Sequence, residues 1–212
     1  MSKLTICCVT KFEEVCVPFI REMSDWCFNN EAEFVLGIDA STKEKSIYLP
    51  YWSRFVYVNS NGSIESVLDS VIEKCTGDYI LRLDDDETMS TELSDWLKAG
   101  EFSDEIYSFH RYNLWGDTNH HLPQLYPDTQ IRLATKAKSF GRNVIHNISP
   151  YGFGKTLNKP ILHHKFIIRS YEDRKKIANT YESICPGAGS GEYLKYSLPE
   201  DYYKQIIIQE IK

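Results

Sequence analysis

The chain has 212 residues, 42% of them hydrophobic and 13% aromatic, and a net charge of -6. That length supports one domain with a proper core, and the composition excludes an intrinsically disordered chain. No stretch of about 18 apolar residues occurs, and the N-terminal MSKLTICCVT lacks the charged, apolar and cleavage-site series of a secretion signal, so no membrane span is expected.

Charge is unevenly placed. Residues 1–130 carry a balance of -13 and residues 131–176 one of +9. A basic segment behind an acidic half suits a phosphate or polyanion partner, and equally a solvated surface with internal ion pairs. The six cysteines are Cys7, Cys8, Cys16, Cys27, Cys75 and Cys185. None forms a C-x-x-C pair and no His stands at zinc-finger spacing from one, so they read as small hydrophobes in a reduced, cytoplasmic setting.

In chain order, residues 3–10 form a short apolar run fit for a buried strand. Val15, Phe19, Met23 and Trp26 follow at helical spacing, with Pro18 tolerable near the first turn. Strands are expected at 34–38, ending on Asp39, and at 55–58, before the turn residues Asn59 to Gly62. Ser63 is placed to cap a helix whose apolar face is Ile64, Val67, Leu68, Val71, Ile72 and Cys75. Gly77 lies beyond its end, and residues 79–83 read as a fourth strand running into Asp84-Asp85-Asp86-Glu87. Strand, helix, strand, strand, helix, strand is the order of a mainly parallel, helix-covered sheet.

The second half is expected to hold a helix at 92–98 and a strand at 105–112. A polar loop over 113–128 comes next, then strands at 130–134, 143–148 and 160–163. The last helix starts at Ser170, where Ser170 to Asp173 resembles a capping box, with Ile177, Tyr181 and Ile184 as its buried stripe. Nothing splits the chain, so one domain over 1–212 is expected.

The sharpest chemical signal is the acidic tetrad. Four consecutive acids after an apolar strand repel one another unless a cation or solvent intervenes. Ligands of open α/β sheets bind at the carboxyl ends of strands, where a hard divalent cation would take carboxylate oxygens and share a substrate diphosphate. By itself the tetrad also fits a solvated acidic turn.

Its context resembles the family-two glycosyltransferases, which have the A-type fold. The matches are the first strand at 3–10, the second ending on Asp39, and the passage from Asn61-Gly62 through a helix to Gly77-Asp78-Tyr79-Ile80-Leu81-Arg82-Leu83-Asp84-Asp85-Asp86-Glu87. The fourth is Gln130-Ile131-Arg132-Leu133, then Val144-Ile145-His146, then Ile161-Leu162-His163-His164. The resemblance spans roughly residues 3–185. It implies a single Rossmann-like α/β domain with a mixed, mostly parallel sheet flanked by helices. Residues 1–100 would bind the nucleotide sugar and 101–212 the acceptor.

By that resemblance Asp39 contacts the base, Asp84 the ribose or a metal-linked water, and Asp85 belongs to the same donor site. Asp86 would ligate Mn2+ or Mg2+ within this DxD motif, with His163 or His164 as the second protein ligand. If the two histidines lie on a strand, one must point away. Arg132 has a fork that suits phosphate or carboxylate. An inverting transferase also needs a base for the acceptor hydroxyl, and of the candidates Asp128 and Asp117 the first, which precedes Gln130-Ile131-Arg132-Leu133, is favoured. The family often has His-Glu where this chain has His146-Asn147, which removes one carboxylate from consideration. Tyr112, Trp115 and Tyr126 bracket the polar loop and suit an acceptor platform. The glycine-rich 187–191 lacks a P-loop Lys-Ser/Thr and suits a mobile lid.

The function expected is metal-dependent transfer of a hexosyl or pentosyl group from a nucleotide-diphosphate sugar, UDP-linked, to an acceptor hydroxyl. Glycan, lipid-linked sugar and modified nucleic-acid base all remain open as acceptors. The alternatives are a catalytically silent nucleotide-sugar-binding module and a nucleotidyltransferase. The latter is disfavoured because Lys11-Phe12-Glu13-Glu14 is unlike a glycine-rich basic loop.

Overall fold

The computed structural model describes residues 3–39, 53–60, 63–139, 154–186 and 209–211. The strand expected at 143–148, with His146 and Asn147, lies outside them, as do Asn61, Gly62 and the stretch 187–191.

The first half follows the expected order. Strand β1 (Leu4–Thr10) leads through a 3-10 turn to α1 (Val17–Asn29), then to β2 (Glu33–Asp39) and β3 (Arg54–Val58). Helix α2 (Leu68–Ile72) precedes β4 (Tyr79–Arg82). These four strands are mutually parallel in the order β3-β2-β1-β4. Every residue of β1 is buried, because both faces of the sheet are covered. Leu4, Ile6 and Cys8 face the layer built by Ile20, Met23 and Cys27 of α1, whereas Cys7 and Val9 face Leu68, Val71 and Ile72 of α2. Gly37 permits the approach of α2, since a Cβ there would sit 2.7 Å from Val71 Cγ2.

One helix is shorter than its spacing suggests. Ser63 does not cap it; its hydroxyl bonds Glu65 Oε2 at 3.0 Å, and the chain makes a 3-10 turn over Glu65–Val67 before α2. The apolar face is nevertheless buried as expected, because the 3-10 turn keeps Val67 on the same side as Leu68 and Val71.

Next come β5 (Glu87–Met89), α3 (Thr91–Ala99) and β6 (Ile106–Asn113). Ser90 caps α3 by accepting from Leu93 N, and Gly100 ends it at φ +65°, a left-handed conformation that favours glycine. The expected polar loop contains a two-residue strand, β7 (His120–His121). Strand β8 (Asp128–Thr135) is followed by α4 (Lys136–Ser139). Strand β9 (Lys155–His163) starts five residues before the expected 160. A short α5 (Lys165–Ile168), α6 (Tyr171–Ile184) and β10 (Gln209–Glu210), which pairs with β7, complete the described chain.

Ser170 caps α6 as expected, accepting from Asp173 N. The stripe does not match: Arg174 and Ala178 are buried, and Ile184 is 42% exposed. The inward line passes through Arg174 because its guanidinium lies 5.1 Å over the Phe166 ring and donates to the Arg169 carbonyl.

Among the described residues the main sheet has eight strands, β3-β2-β1-β4-β8-β6-β9-β5. Strand β8 runs antiparallel to both β4 and β6, while β9 is parallel to β6 and antiparallel to β5. The expected α/β architecture, a mixed and mostly parallel sheet flanked by helices, is therefore the one formed. Strand direction also determines what meets what. The carboxyl ends of β1, β2, β4, β6 and β9 share one edge, bringing Thr10, Asp39, Arg82, Asn113 and His163 to it. The reversed β8 brings its first residue, Asp128, to the same edge.

Candidate functional site

Residues 83–86 carry the chain from β4 across this edge to β5. The tetrad is not simply solvated: Asp86 and Glu87 are buried and Asp84 and Asp85 partly so. Each carboxylate has a different partner.

Asp84 accepts from Arg82 at 2.9 Å and from Arg132 Nη2 at 2.6 Å. Burial alone would raise its pKa, but Arg132, Arg82 and Arg111 outweigh burial and hold it well below the usual carboxylate range. Asp85 accepts from the Thr10 hydroxyl at 2.6 Å. Its burial and then the repulsion of Asp86 push it up to about 7, against that hydrogen bond. Asp86 turns Oδ1 to His163 Nε2 at 3.5 Å. Burial opposes its ionisation, yet His163 and then Lys165 keep it well below its ordinary value.

Glu87 is fully buried and forms the centre of an ion network that sequence reasoning missed. Its Oε1 accepts from Arg111 Nη1 at 2.9 Å and Arg132 Nη2 at 2.6 Å, and its Oε2 from the Asp84 backbone N–H at 3.0 Å. Arg111 continues to Asp128 Oδ2 through Nε at 2.8 Å and Nη2 at 2.6 Å. Asn113 Nδ2 donates to the same oxygen at 3.2 Å, while Asn113 Oδ1 lies 2.7 Å from His163 Nδ1. The contacts thus close a ring from Asp84 through Arg132, Glu87, Arg111, Asp128, Asn113 and His163 to Asp86. A signal existed for part of it: Phe109, Arg111 and Asn113 share one face of β6 by alternation, and an arginine beside a buried phenylalanine needs a carboxylate.

The expected site residues fall into distinct settings. Asp39 ends β2 buried and accepts from the Ser60 backbone N–H at 3.3 Å and from the Ser60 hydroxyl. Of the two adjacent histidines, His163 faces Asp86. His164 turns away: its Nε2 is 2.9 Å from the Thr88 hydroxyl and its ring stacks on Phe19 at 4.4 Å. Burial, then the charge of His163, pushes the His164 imidazole down to about 4. Arg132 holds the carboxylates of Asp84 and Glu87.

Asp128 accepts three hydrogen bonds on Oδ2 and one from Gln130 on Oδ1. Despite burial, Arg111 and these donors hold it at about 2, which makes it a poor proton acceptor at neutral pH. Asp117 lies exposed on the 113–120 turn and meets His120 Nδ1 at 2.7 Å, with the Asn119 N–H at 2.8 Å. That hairpin is tied to β9, since Leu114 N donates to the His163 carbonyl, and it is closed by Trp115 N donating to the His120 carbonyl. Tyr112 stacks on Tyr126 at 5.1 Å and lies 4.4 Å from His121, while Trp115 packs near Phe166 at 5.7 Å. Lys165 is buried beside this edge. Burial pushes its ammonium down to about 8 against the pull of Asp86.

The donor set suits a divalent cation. Two ligands at about 2.1 Å from an octahedral ion and at right angles lie about 3 Å apart, close to the His163–Asp86 separation of 3.5 Å. Carboxylate oxygen suits Mg2+ and Mn2+ and imidazole suits more borderline ions such as Zn2+, so the pair by itself selects no one divalent ion. Among the described residues no group of three or more His, Cys, Asp or Glu is placed to hold a metal ion.

No protein-family model matches the chain, and no curated protein matches it. Solved structures do. One is TarS 1-349 of S. aureus, 13% identical, covering 96% of this chain and 68% of that one at a TM-score of 0.47. Against the longer TarS chain the coverage is 42%. A second is the mannosyltransferase PcManGT from Pyrobaculum calidifontis in complex with GDP-Man and Mn2+, 10% identical, covering 96% and 67% at a TM-score of 0.48. A third is CMP:2-keto-3-deoxy-manno-octonic acid synthetase with CTP, 12% identical, covering 75% and 90% at 0.47. At such identities no residue's role passes from any of them to this chain, whose site stands on its own geometry.

Proposed function

We propose that the chain is a metal-dependent glycosyltransferase taking its sugar from a nucleotide diphosphate, UDP-linked, and passing it to an acceptor hydroxyl with inversion. The observation that carries this reading is the meeting of Asp86 and His163. They are 77 residues apart in sequence, yet face each other at the carboxyl edge of the sheet, with Asp39 at the end of β2 on that same edge.

In this reading Asp86 and His163 hold Mn2+ or Mg2+, and the bound ion neutralises charge on the leaving diphosphate. Asp39 receives the base. Asp84, fixed by Arg132 and Arg82, and Asp85, bonded to Thr10, line the donor side. The Lys165 ammonium adds positive charge at the same edge. His164 supports the tetrad from behind, its backbone N–H donating to the Asp86 carbonyl at 2.8 Å.

For the acceptor proton, the setting favours Asp117 over Asp128. Asp117 orients His120 by its Nδ1, leaving Nε2 as the proton-accepting atom, in the manner of a carboxylate–imidazole pair. Asp128 holds Arg111 and Asn113 in place. His120→Gln and Asp117→Asn are therefore expected to lower sugar transfer by about 10²-fold or more while leaving donor affinity unchanged. Asp128→Asn is expected to weaken donor binding and transfer together. Transfer and donor binding measured side by side check this; a transfer loss confined to Asp128→Asn would return the base role to that residue.

The donor is tested by thermal unfolding with a panel of nucleotide sugars, each with and without Mn2+. A ligand of the folded state raises Tm by mass action, by about 2.7 kcal/mol of stability at a hundredfold excess over Kd. Stabilisation by one nucleotide family that requires Mn2+ is the expected result. No shift with any donor or metal would overturn the reading. Stabilisation without hydrolysis or transfer would leave a binding module. The acceptor is a glycan, a lipid-linked sugar or a nucleic-acid base, and steep loss of acceptor binding with salt would mark the last of these.

A further inference from the structure

We propose that Asn113 is a positioning residue for His163: its carboxamide oxygen keeps a proton on Nδ1, so that the Nε2 lone pair is presented to a cation shared with Asp86. The inference rests on the reading that Asp86 and His163 hold a cation.

The assignment follows from donors and acceptors. Asn113 Oδ1, 2.7 Å from His163 Nδ1, can only accept, so Nδ1 must carry the proton. The amide could satisfy His163 the other way only by flipping, and a flip is opposed at its far end. Asn113 Nδ2 donates to Asp128 Oδ2 at 3.2 Å, and that carboxylate, held ionised beside Arg111, can only accept. A flipped amide would set oxygen against oxygen. The orientation of one amide thus transmits the charge of Asp128 into the tautomer of His163.

Backbone geometry makes the contact rigid. Asn113 and His163 are paired residues of the parallel strands β6 and β9, and the Asn113 carbonyl accepts from Leu122 N at 2.9 Å. Both side chains are buried, at 2% and 3% exposure, so water does not compete for the bond. On the other side of the ring, the 3.5 Å from Nε2 to Asp86 Oδ1 is long for a strong hydrogen bond and suits two ligands of one ion. His164 shows the contrast. Its Nε2 is engaged by Thr88, so the neighbouring imidazole is oriented away from the same role. A metal-bound imidazole is commonly oriented through its remote nitrogen, and losing the orienting partner costs about 10–100-fold in metal affinity.

The test uses the full chain with Mn2+ and its diamagnetic stand-in Mg2+ as the probes. Imidazole 15N NMR on the Mg2+-loaded protein reports the His163 tautomer, with His163→Gln assigning the signal; electron paramagnetic resonance reports Mn2+ affinity. In the wild-type protein the proton is expected on Nδ1. In Asn113→Leu it is expected to redistribute toward Nε2, with Mn2+ affinity about 10–100-fold weaker. Asn113→Asp combined with Asp128→Asn, which keeps an acceptor at Nδ1 and sets an amide donor against the new carboxylate, is expected to retain the tautomer and bind Mn2+ close to wild type. An Nε2–H tautomer in the wild-type protein overturns the proposal without any variant. Unchanged Mn2+ affinity in Asn113→Leu, or a loss in the paired Asn113→Asp and Asp128→Asn variant as large as in Asn113→Leu, overturns it while leaving the metal site standing. No Mn2+ binding by the wild-type protein sinks the metal reading and the proposal together.

Discussion

Replacing Glu87 by alanine is expected to cost about 3–5 kcal/mol of folding stability, the magnitude of removing one partner from a buried ion network. Glu87 is fully buried and is the shared anchor of Arg111 and Arg132, themselves 7% and 3% exposed. Its loss leaves each guanidinium with one carboxylate instead of two: Asp128 for Arg111 and Asp84 for Arg132. The Asp84 N–H loses its acceptor as well. Glutamine does not restore the site. Oε1 accepts from two arginines and Oε2 from a backbone N–H, so either orientation of a glutamine amide turns its NH2 against a donor. Urea unfolding of Glu87→Ala and Glu87→Gln measures this. A loss below about 1 kcal/mol for both would place them with ordinary surface substitutions and remove Glu87 from the centre of the fold's electrostatics.

Asp86→Ala is expected to do the opposite, keeping the fold while removing function. Asp86 is not bonded to the Glu87 network except through His163, and it sits among like charges. Removing it relieves repulsion on Asp85, whose carboxyl group is held up at about 7 by burial and then by Asp86. The Asp85 pKa is therefore expected to fall in the variant. Metal-dependent donor turnover should drop by about 10³-fold, equivalent to about 4 kcal/mol of lost charge stabilisation. Donor turnover against Mn2+ concentration, with a melting curve on the same sample, decides it. Undiminished turnover in a folded variant would remove Asp86 from the metal site.

The two predictions divide the tetrad. Asp84 and Glu87 are bound to arginines, whereas Asp85 and Asp86 face Thr10 and His163. Four adjacent acids look alike in sequence. Their partners come from β8 and β6 for the first kind and from β1 and β9 for the second, elements that local spacing does not bring together.

Sequence alone determined the parts of this protein that depend on local pattern. Apolar runs buried on both faces identified β1, β2 and β4, because a strand covered by helices on both sides carries no polar alternation. The Ser170 cap and the helix over 171–184 were legible, as was the edge where β4 runs into four acids. The apolar face over 64–75 was legible too, although its first turn winds as 3-10 rather than α.

Tertiary structure alone decided the rest. Strand direction brought Asp128 from the start of β8 beside Arg111 from the end of β6, so that a carboxylate read as a candidate base is ion-paired. Side-chain direction set His163, and not His164, toward Asp86, since adjacent residues at a strand end point to opposite sides. Arg174 took the buried face of α6 because Phe166, on a different element, offered its ring. In each case the deciding energy lies in a contact between residues distant in sequence, where burial makes an unpaired charge costly and pairing becomes the rule.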